Sequence, residues 1–183
     1  MILQYLMNND NKHQFIYSIP TNANILEIGF SLRDKFIIWT IEQKDKLILY
    51  LLNMSIYFHQ NYKPIQEKPK VLLEEKQKFH FTFDWINNLL YQIYRNKIYV
   101  SNIHKTDERT PIYSTPTNST QIKFLTLCPE NSLIFWSEIE IFDNLFSIYK
   151  ANQDGSEEKN LLSSHYIFVN EFTIDCKEKR LIF

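Results

Sequence analysis

The sequence predicts an all-β fold of repeated four-stranded units, and three observations carry that prediction. Apolar and polar residues alternate at a period of two. Phe79, Phe81, Phe83 and Trp85, for instance, are separated by His80, Thr82 and Asp84, the pattern of a half-buried strand. No stretch keeps the i, i+3, i+4, i+7 spacing of a helix for three turns without β-branched or aromatic crowding. Four segments then align without gaps: Phe30 to Trp39, Phe83 to Gln92, Leu127 to Trp136 and Ile174 to Phe183. Each runs from the end of one apolar strand through a short polar turn into a second apolar strand. Their starts lie 53, 44 and 47 residues apart. A period of roughly 40–50 residues with four short strands per unit is that of β-propeller blades. Hydrophobic residues make up 44% of the 183 and aromatics 15%, ample material for a core.

Taken in order, residues 1–24 are expected to hold an opening strand pair, within 2–19. The first repeat, 25–75, continues after its aligned segment with a strand over Lys46 to Leu52. A turn at Asn53-Met54-Ser55, a long polar insert and a last strand over Val71 to Leu73 complete it. The second repeat, 76–118, adds Lys97 to Ile103, a turn around Lys105 to Asp107, and Glu108 to Ser114. The third, 119–166, adds Leu145 to Asn152, the turn Gln153-Asp154-Gly155-Ser156, and Glu157 to Leu162. Asp-Gly suits a tight hairpin whose two central residues take positive φ. Residues 167–183 begin a fourth repeat. The expected fold is therefore a partial propeller of about three complete blades and the start of a fourth.

Composition excludes several functions. Only 2 glycines are present, against roughly 13 at average usage. Neither a GxxxxGK[ST] nor a GxGxxG phosphate-binding loop can be written with them. Twenty basic residues face 21 acidic ones, and the one local basic patch, Lys63, Lys68 and Lys70, is diluted by Glu67, Glu74 and Glu75. Nucleic acid is not an expected partner, since phosphate neutralisation needs a basic surplus. The N-terminal apolar stretch is broken at Gln4 and ends at Asn8, too polar for a signal-peptide core. No apolar run reaches the roughly 20 residues of a membrane span. Two cysteines, Cys128 and Cys176, form neither a CxxC nor a Cys/His ligand set. They fall one register apart in neighbouring repeats, so strand alternation predicts opposite faces and two free thiols.

Asp84-Trp-Ile-Asn-Asn-Leu-Leu-Tyr91, Phe135-Trp136-Ser137-Glu138 with Ala151-Asn-Gln-Asp-Gly-Ser156, and Asn170-Glu-Phe-Thr-Ile-Asp175 resemble the YWTD repeat. This is the class B repeat of the low-density lipoprotein receptor family, also found in Wnt co-receptors and nidogen. The resemblance covers nearly the whole chain and follows the first half of such a six-bladed propeller. The copies diverge: the signature Tyr-Trp-Thr-Asp reads Ile38-Trp39-Thr40-Ile41, Tyr91-Gln92-Ile93-Tyr94 and Phe135-Trp136-Ser137-Glu138. The signature carboxylate, which the family uses to tie blades together, survives as Glu138. Six blades need roughly 250 residues, so the resemblance implies a fragment of a longer receptor, the missing blades being partners from the same parent chain. Closure by another chain is the other route.

What the resemblance implies about function is a non-enzymatic segment. It would bind an extracellular protein ligand or pack against neighbouring receptor modules, in a membrane receptor's extracellular part or a secreted protein. No cofactor or metal is expected. The family's ligands dock beside the residues just ahead of each innermost strand, here Lys78-Phe79-His80, Ile122-Lys123-Phe124 and Val169-Asn170-Glu171. Asn170 matches a family asparagine there, and Lys123 keeps the charge of a family arginine. The alternatives are a lactonase-type propeller hydrolase, recognised by carboxylates and amides gathered in a central channel, and a degenerate non-functional fragment. Asp84 and Asp175 share one position with Ser31 and Cys128 of the other repeats, which favours a blade-structural aspartate over a metal cage. The five histidines, His13, His59, His80, His104 and His165, are spread singly. Sequons at Asn53-Met54-Ser55 and Asn118-Ser119-Thr120 are candidate glycosylation sites, although 17 Asn and 22 Ser plus Thr give about two by chance.

Overall fold

The computed structural model describes residues 2–5, 14–18, 23–31, 33–44, 46–53, 68–76, 80–167, 169 and 171–183. The chain divides into two compact units, Met1–Lys76 and Gln77–Phe183.

In the first unit, β1 (Ile2–Tyr5) pairs antiparallel with β2 (Gln14–Ser18). A four-stranded antiparallel sheet follows in chain order: β3 (Asn24–Ser31), β4 (Phe36–Gln43), β5 (Lys46–Asn53) and β6 (Lys70–Glu75). The two middle strands are nearly continuous in apolar residues, as sheet covered on both faces requires. Trp39, Ile41 and Leu52 are buried as one cluster with Ile25, Ile37, Ile48 and Tyr50 packed against it. Trp39 stacks on its cross-strand partner Tyr50 at 5.5 Å between ring centroids.

The second unit repeats this plan twice and begins it a third time. One sheet holds β7 (His80–Asp84), β8 (Leu89–Tyr94), β9 (Lys97–Asn102) and β10 (Thr110–Ser114). The next holds β11 (Thr120–Cys128), β12 (Leu133–Glu140), β13 (Leu145–Asn152) and β14 (Lys159–Ser164). A two-stranded sheet of β15 (Thr173–Asp175) and β16 (Arg180–Ile182) ends the chain. Leu125, Leu127 and Trp136 of one sheet join Tyr91, Ile93 and Ile98 of the sheet before it in a single buried cluster. Phe135 and Phe146 likewise meet Phe172, with Ile174 and Leu181 packed alongside.

The aligned segments prove to be one structural device. In the four sheets after β1–β2, four residues separate the first strand from the second, and the fourth of them is left-handed: Lys35 (φ 55°), Asn88 (57°), Ser132 (53°) and Lys179 (53°). In three of the four the last residue of the first strand caps the turn. Ser31 Oγ accepts the Asp34 N–H at 3.1 Å, and Asp175 Oδ1 accepts the Glu178 N–H at 2.9 Å. Buried Asp84 does more, accepting from the N–H groups of Ile86 (2.8 Å) and Asn87 (3.1 Å) and from the Asn87 side chain (2.8 Å). A buried acceptor lost with its donors left behind costs about 1–3 kcal/mol. Asp84→Ala should therefore lower the stability of the second unit by that amount in urea titration, and Asp84→Asn by less. An Ala variant with an unchanged midpoint would remove the capping role.

A second repeated device is the β-bulge. Pairing slips by one residue between Ile25 and Glu27 in β3 and between Ile122 and Phe124 in β11, leaving Leu26 and Lys123 as the extra residues. The outermost strands slip as well, at Leu72, Ile112 and Leu161. Two expectations change here. The last strand of the third repeat begins at Lys159 rather than Glu157, because Glu157 takes a left-handed φ of 57°. In the Asp-Gly hairpin only Gly155 has positive φ (87°); Asp154 instead accepts from the Ser156 N–H and Oγ. Gly155 is also the one residue that fits, since a Cβ there would stand 2.3 Å from the carbonyl oxygen of bulged Ile112.

Candidate functional site

Two arrangements rise above ordinary packing: the polar entry end of β11, and the seam where the β11–β14 sheet meets the β7–β10 sheet. At the entry end, the bulge places Lys123 inside β11, not ahead of it as the repeat alignment suggests. An extra residue keeps ladder pairing on both sides while re-aiming its side chain. Lys123 is exposed, and its Nζ donates to Gln121 Oε1 at 2.7 Å. Nearby, Thr117 and Thr120 donate to the Glu140 carboxylate at 3.2 and 2.7 Å. Hydrogen bonds from Ser119 and Thr120 hold Glu140 below its ordinary pKa. Asn118 is exposed in the loop just before. The first residues of β11 and the end of β12 thus carry a cation, an anion and hydroxyls, a surface suited to polar docking.

The seam is built on the surviving signature carboxylate. Glu138 is buried, and Oε1 accepts the Trp136 indole N–H at 2.9 Å. Trp136 is itself sandwiched: Tyr149 of its own sheet stacks at 5.5 Å, and Tyr113 of β10 lies at 4.6 Å. The Tyr113 hydroxyl also hydrogen-bonds Glu138, and burial, with this bond second, pushes its pKa far above the usual tyrosine range. One carboxylate thus joins two sheets. Burial raises the pKa of Glu138, Glu158 adds to this, and the bonds from Tyr113 and Trp136 oppose it.

The sign of the pH effect follows. A carboxyl whose folded pKa lies above its unfolded value takes up a proton on folding. Its contribution is full below the unfolded pKa and is lost as pH rises through the folded one. Stability should therefore decline with rising pH across that window, and Glu138→Gln should flatten the decline when urea midpoints are compared from pH 4 upward. Equal slopes in the two proteins would contradict a buried charge at this seam.

Elsewhere the signature position is refilled. Ile41 occupies it in the β3–β6 sheet, buried beside Trp39. Tyr94 occupies it in the β7–β10 sheet, where the guanidinium groups of Arg95 and Arg109 sit 5.1 and 5.0 Å from its ring centroid. Cation–π contact in place of a carboxylate was not legible, because Arg109 lies fifteen residues along the chain. Gln92, in the tryptophan position, is buried with neither side-chain amide atom hydrogen-bonded among the described residues.

The cysteines correct the sequence reading. Cys128 and Cys176 are joined in a disulfide, with Cα atoms 5.6 Å apart. Strand alternation does not apply to Cys176, which lies in the turn beyond β15. Cys128 stands where Ser31, Asp84 and Asp175 cap their turns, and a single 3-10 turn over Pro129–Asn131 takes the cap's place. Asn131 donates to the Cys176 carbonyl at 3.2 Å. Together with Glu130 the two sulfurs are the one close group of potential metal donors among the described residues, and both sulfurs are committed to the bridge.

Of the other expected site residues, Asn170 lies outside the described residues, as do His13, His59, Lys78 and Phe79. Asn53 is the exposed last residue of β5, not a turn residue. His80 and His104 are exposed, and the His165 Nδ1 hydrogen-bonds the Asp143 carbonyl at 3.0 Å.

Three four-stranded antiparallel sheets in chain order, with a face-to-face seam that repeats within the second unit, settle the architecture. The fold is that of a β-propeller. The sequence matches no protein-family model and no curated protein, whereas solved structures match over most of the chain. A chain of the nidogen–laminin complex superposes with a TM-score of 0.66 at 15% identity, over 97% of this chain and 64% of that one. An oligogalacturonate lyase from Vibrio parahaemolyticus gives 0.70 at 9% identity, over 96% of this chain and 51% of that one. A prolyl endopeptidase gives 0.64 at 9% identity, with 94% and 27% covered. The chain therefore spans less than two thirds of each of these propeller proteins. The blades here are the sheets β3–β6, β7–β10 and β11–β14, with β15–β16 as the inner half of another. No helix among the described residues is long and apolar enough to cross a membrane.

Proposed function

We propose that this chain is a non-enzymatic, protein-binding propeller segment of the low-density lipoprotein receptor type, working outside the cell. The observation that carries the reading is the blade seam at Phe135-Trp136-Ser137-Glu138. There a signature carboxylate accepts from the indole of its own blade and from the Tyr113 hydroxyl of the blade before it, the tie expected of a YWTD repeat. The likeness to the nidogen–laminin complex supports a protein ligand, and the disulfide suits an oxidising compartment. The docking surface is the entry end of β11 around Lys123, with Asn170 as its counterpart in the next repeat.

Surface plasmon resonance of the immobilised chain against laminin, and against epidermal-growth-factor-like receptor modules, tests this. Saturable binding weakened about tenfold by Lys123→Glu, or ~1.4 kcal/mol, is expected. Binding to none of these probes would overturn the reading. So would metal-dependent hydrolysis of a lactone, the outcome of the hydrolase alternative.

A further inference from the structure

Three side chains of metal-binding type converge where β11 turns into β12. The donor atoms of Cys128, Glu130 and Cys176 all lie within 4.8 Å of one another. Donors around a tetrahedral zinc ion stand about 3.5–3.8 Å apart, given bonds of about 2.0–2.3 Å, so small side-chain rotations close the difference. Cys128 is the last residue of β11, Glu130 lies in the 3-10 turn over Pro129–Asn131, and Cys176 follows the last residue of β15. All three belong to the Gln77–Phe183 unit.

The surroundings hold the two cysteines together independently of the bond between them. Cys128 is buried among Phe135, Phe146 and Phe172, and Cys176 packs against the same cluster with Ile174 and Leu181. Asn131 ties the site from outside. Its side-chain amide donates to the Cys128 sulfur at 3.3 Å and to the Cys176 carbonyl at 3.2 Å. A donor on the sulfur favours the thiolate, which is the form that binds metal. The position also suits negative charge, since the corresponding residues of two other repeats are Asp84 and Asp175. On the open side Glu130 is exposed, so an ion enters from solvent and keeps a water as its fourth ligand.

We infer that Cys128, Glu130 and Cys176 form a redox-gated site for a divalent cation of the zinc class, closed in the bridged protein and open in the reduced one. Two electrons and two protons convert the bridge into two thiols. A dithiol supplies them and becomes a cyclic disulfide, or a phosphine with one water becomes its oxide. The cation then displaces both thiol protons and is held by two sulfurs and the Glu130 carboxylate. That donor set prefers zinc to calcium or magnesium. The site thus exchanges a covalent link between the β11–β14 and β15–β16 sheets for a metal-borne one. It is independent of the proposed ligand and of its docking surface.

Zinc and cobalt(II) ions, offered to the full chain before and after reduction with a phosphine, are the probes. Equilibrium dialysis followed by elemental analysis should find one zinc ion per chain in the reduced protein and none in the bridged one. Cobalt(II) in its place should show the intense near-ultraviolet absorption of sulfur-to-metal charge transfer. With zinc bound, the near-ultraviolet circular dichroism should match that of the bridged protein, which sets a folded site apart from loose thiols. Glu130→Gln should leave the thermal midpoint of the bridged protein unchanged and weaken zinc binding to the reduced form by about tenfold or more. Absence of stoichiometric zinc in the reduced protein would overturn the inference. So would binding that Glu130→Gln leaves unchanged, or binding accompanied by loss of the near-ultraviolet signal.

Discussion

Replacing Trp136 by alanine should remove about 3–5 kcal/mol from the second unit, a loss that mutational series assign to a buried tryptophan. The side chain is fully buried, and it holds three things at once. It fills the cluster shared by the β7–β10 and β11–β14 blades, stacks on Tyr149 with Tyr113 tilted against it, and donates to buried Glu138. A domain's whole stability is typically 5–15 kcal/mol, so the alanine variant should be substantially unfolded at moderate temperature. Trp136→Phe separates the contributions. It keeps most of the apolar area and the stack but leaves Glu138 without the indole donor, and should cost about 1–3 kcal/mol. Urea denaturation followed by near-ultraviolet circular dichroism measures both. An alanine variant within 1 kcal/mol of wild type would mean that the seam does not carry the fold.

Reducing the Cys128–Cys176 bridge should be nearly as damaging. The bridged residues are 48 apart in sequence, and closing a loop of that size restricts the unfolded chain by about 4 kcal/mol in the entropic account. Thermal midpoints measured with and without dithiothreitol should differ for wild type and coincide for either cysteine variant. The two variants should not be equal. Cys128→Ser places a hydroxyl where Ser31 already caps the corresponding turn, so it should recover about 1 kcal/mol of what the bridge gave. Cys176→Ser has no such cap to gain. Equal losses would mean that Pro129 and its 3-10 turn prevent the capped geometry.

The part of this fold legible in the sequence is the part governed by local rules. The turn caps Ser31, Asp84 and Asp175 fall in register because each is followed by four turn residues. The apolar alternation then sets strand length on either side. What escaped notice is where an extra residue breaks alternation. In β11, Ile122 and Phe124 read as one face, yet Ile122 joins Leu125 and Leu127 in one cluster while Phe124 joins Phe172 across the other seam. The bulge at Lys123 reverses the parity, and nothing in the pattern Ile-Lys-Phe announces it. The cysteine pairing is illegible for a related reason, because the two-residue period stops with β15, one position before Cys176. Glu138 was recognisable as a signature residue, but its Tyr113 partner was not, since Tyr113 follows the bulged Ile112 of a different blade.

The left-handed residue before each second strand bears on how such a protein can be recognised. Lys, Asn, Ser and Lys hold one backbone conformation in four successive copies, and side chains that share almost no chemistry mark the same corner. The heritable element there is a pair of dihedral angles, held in place by a cap and by the strands on either side. Residue statistics register four unrelated letters at that column, while superposed backbones register a single event repeated four times. That is why a chain matching no family profile can still overlay a propeller along 97% of its length.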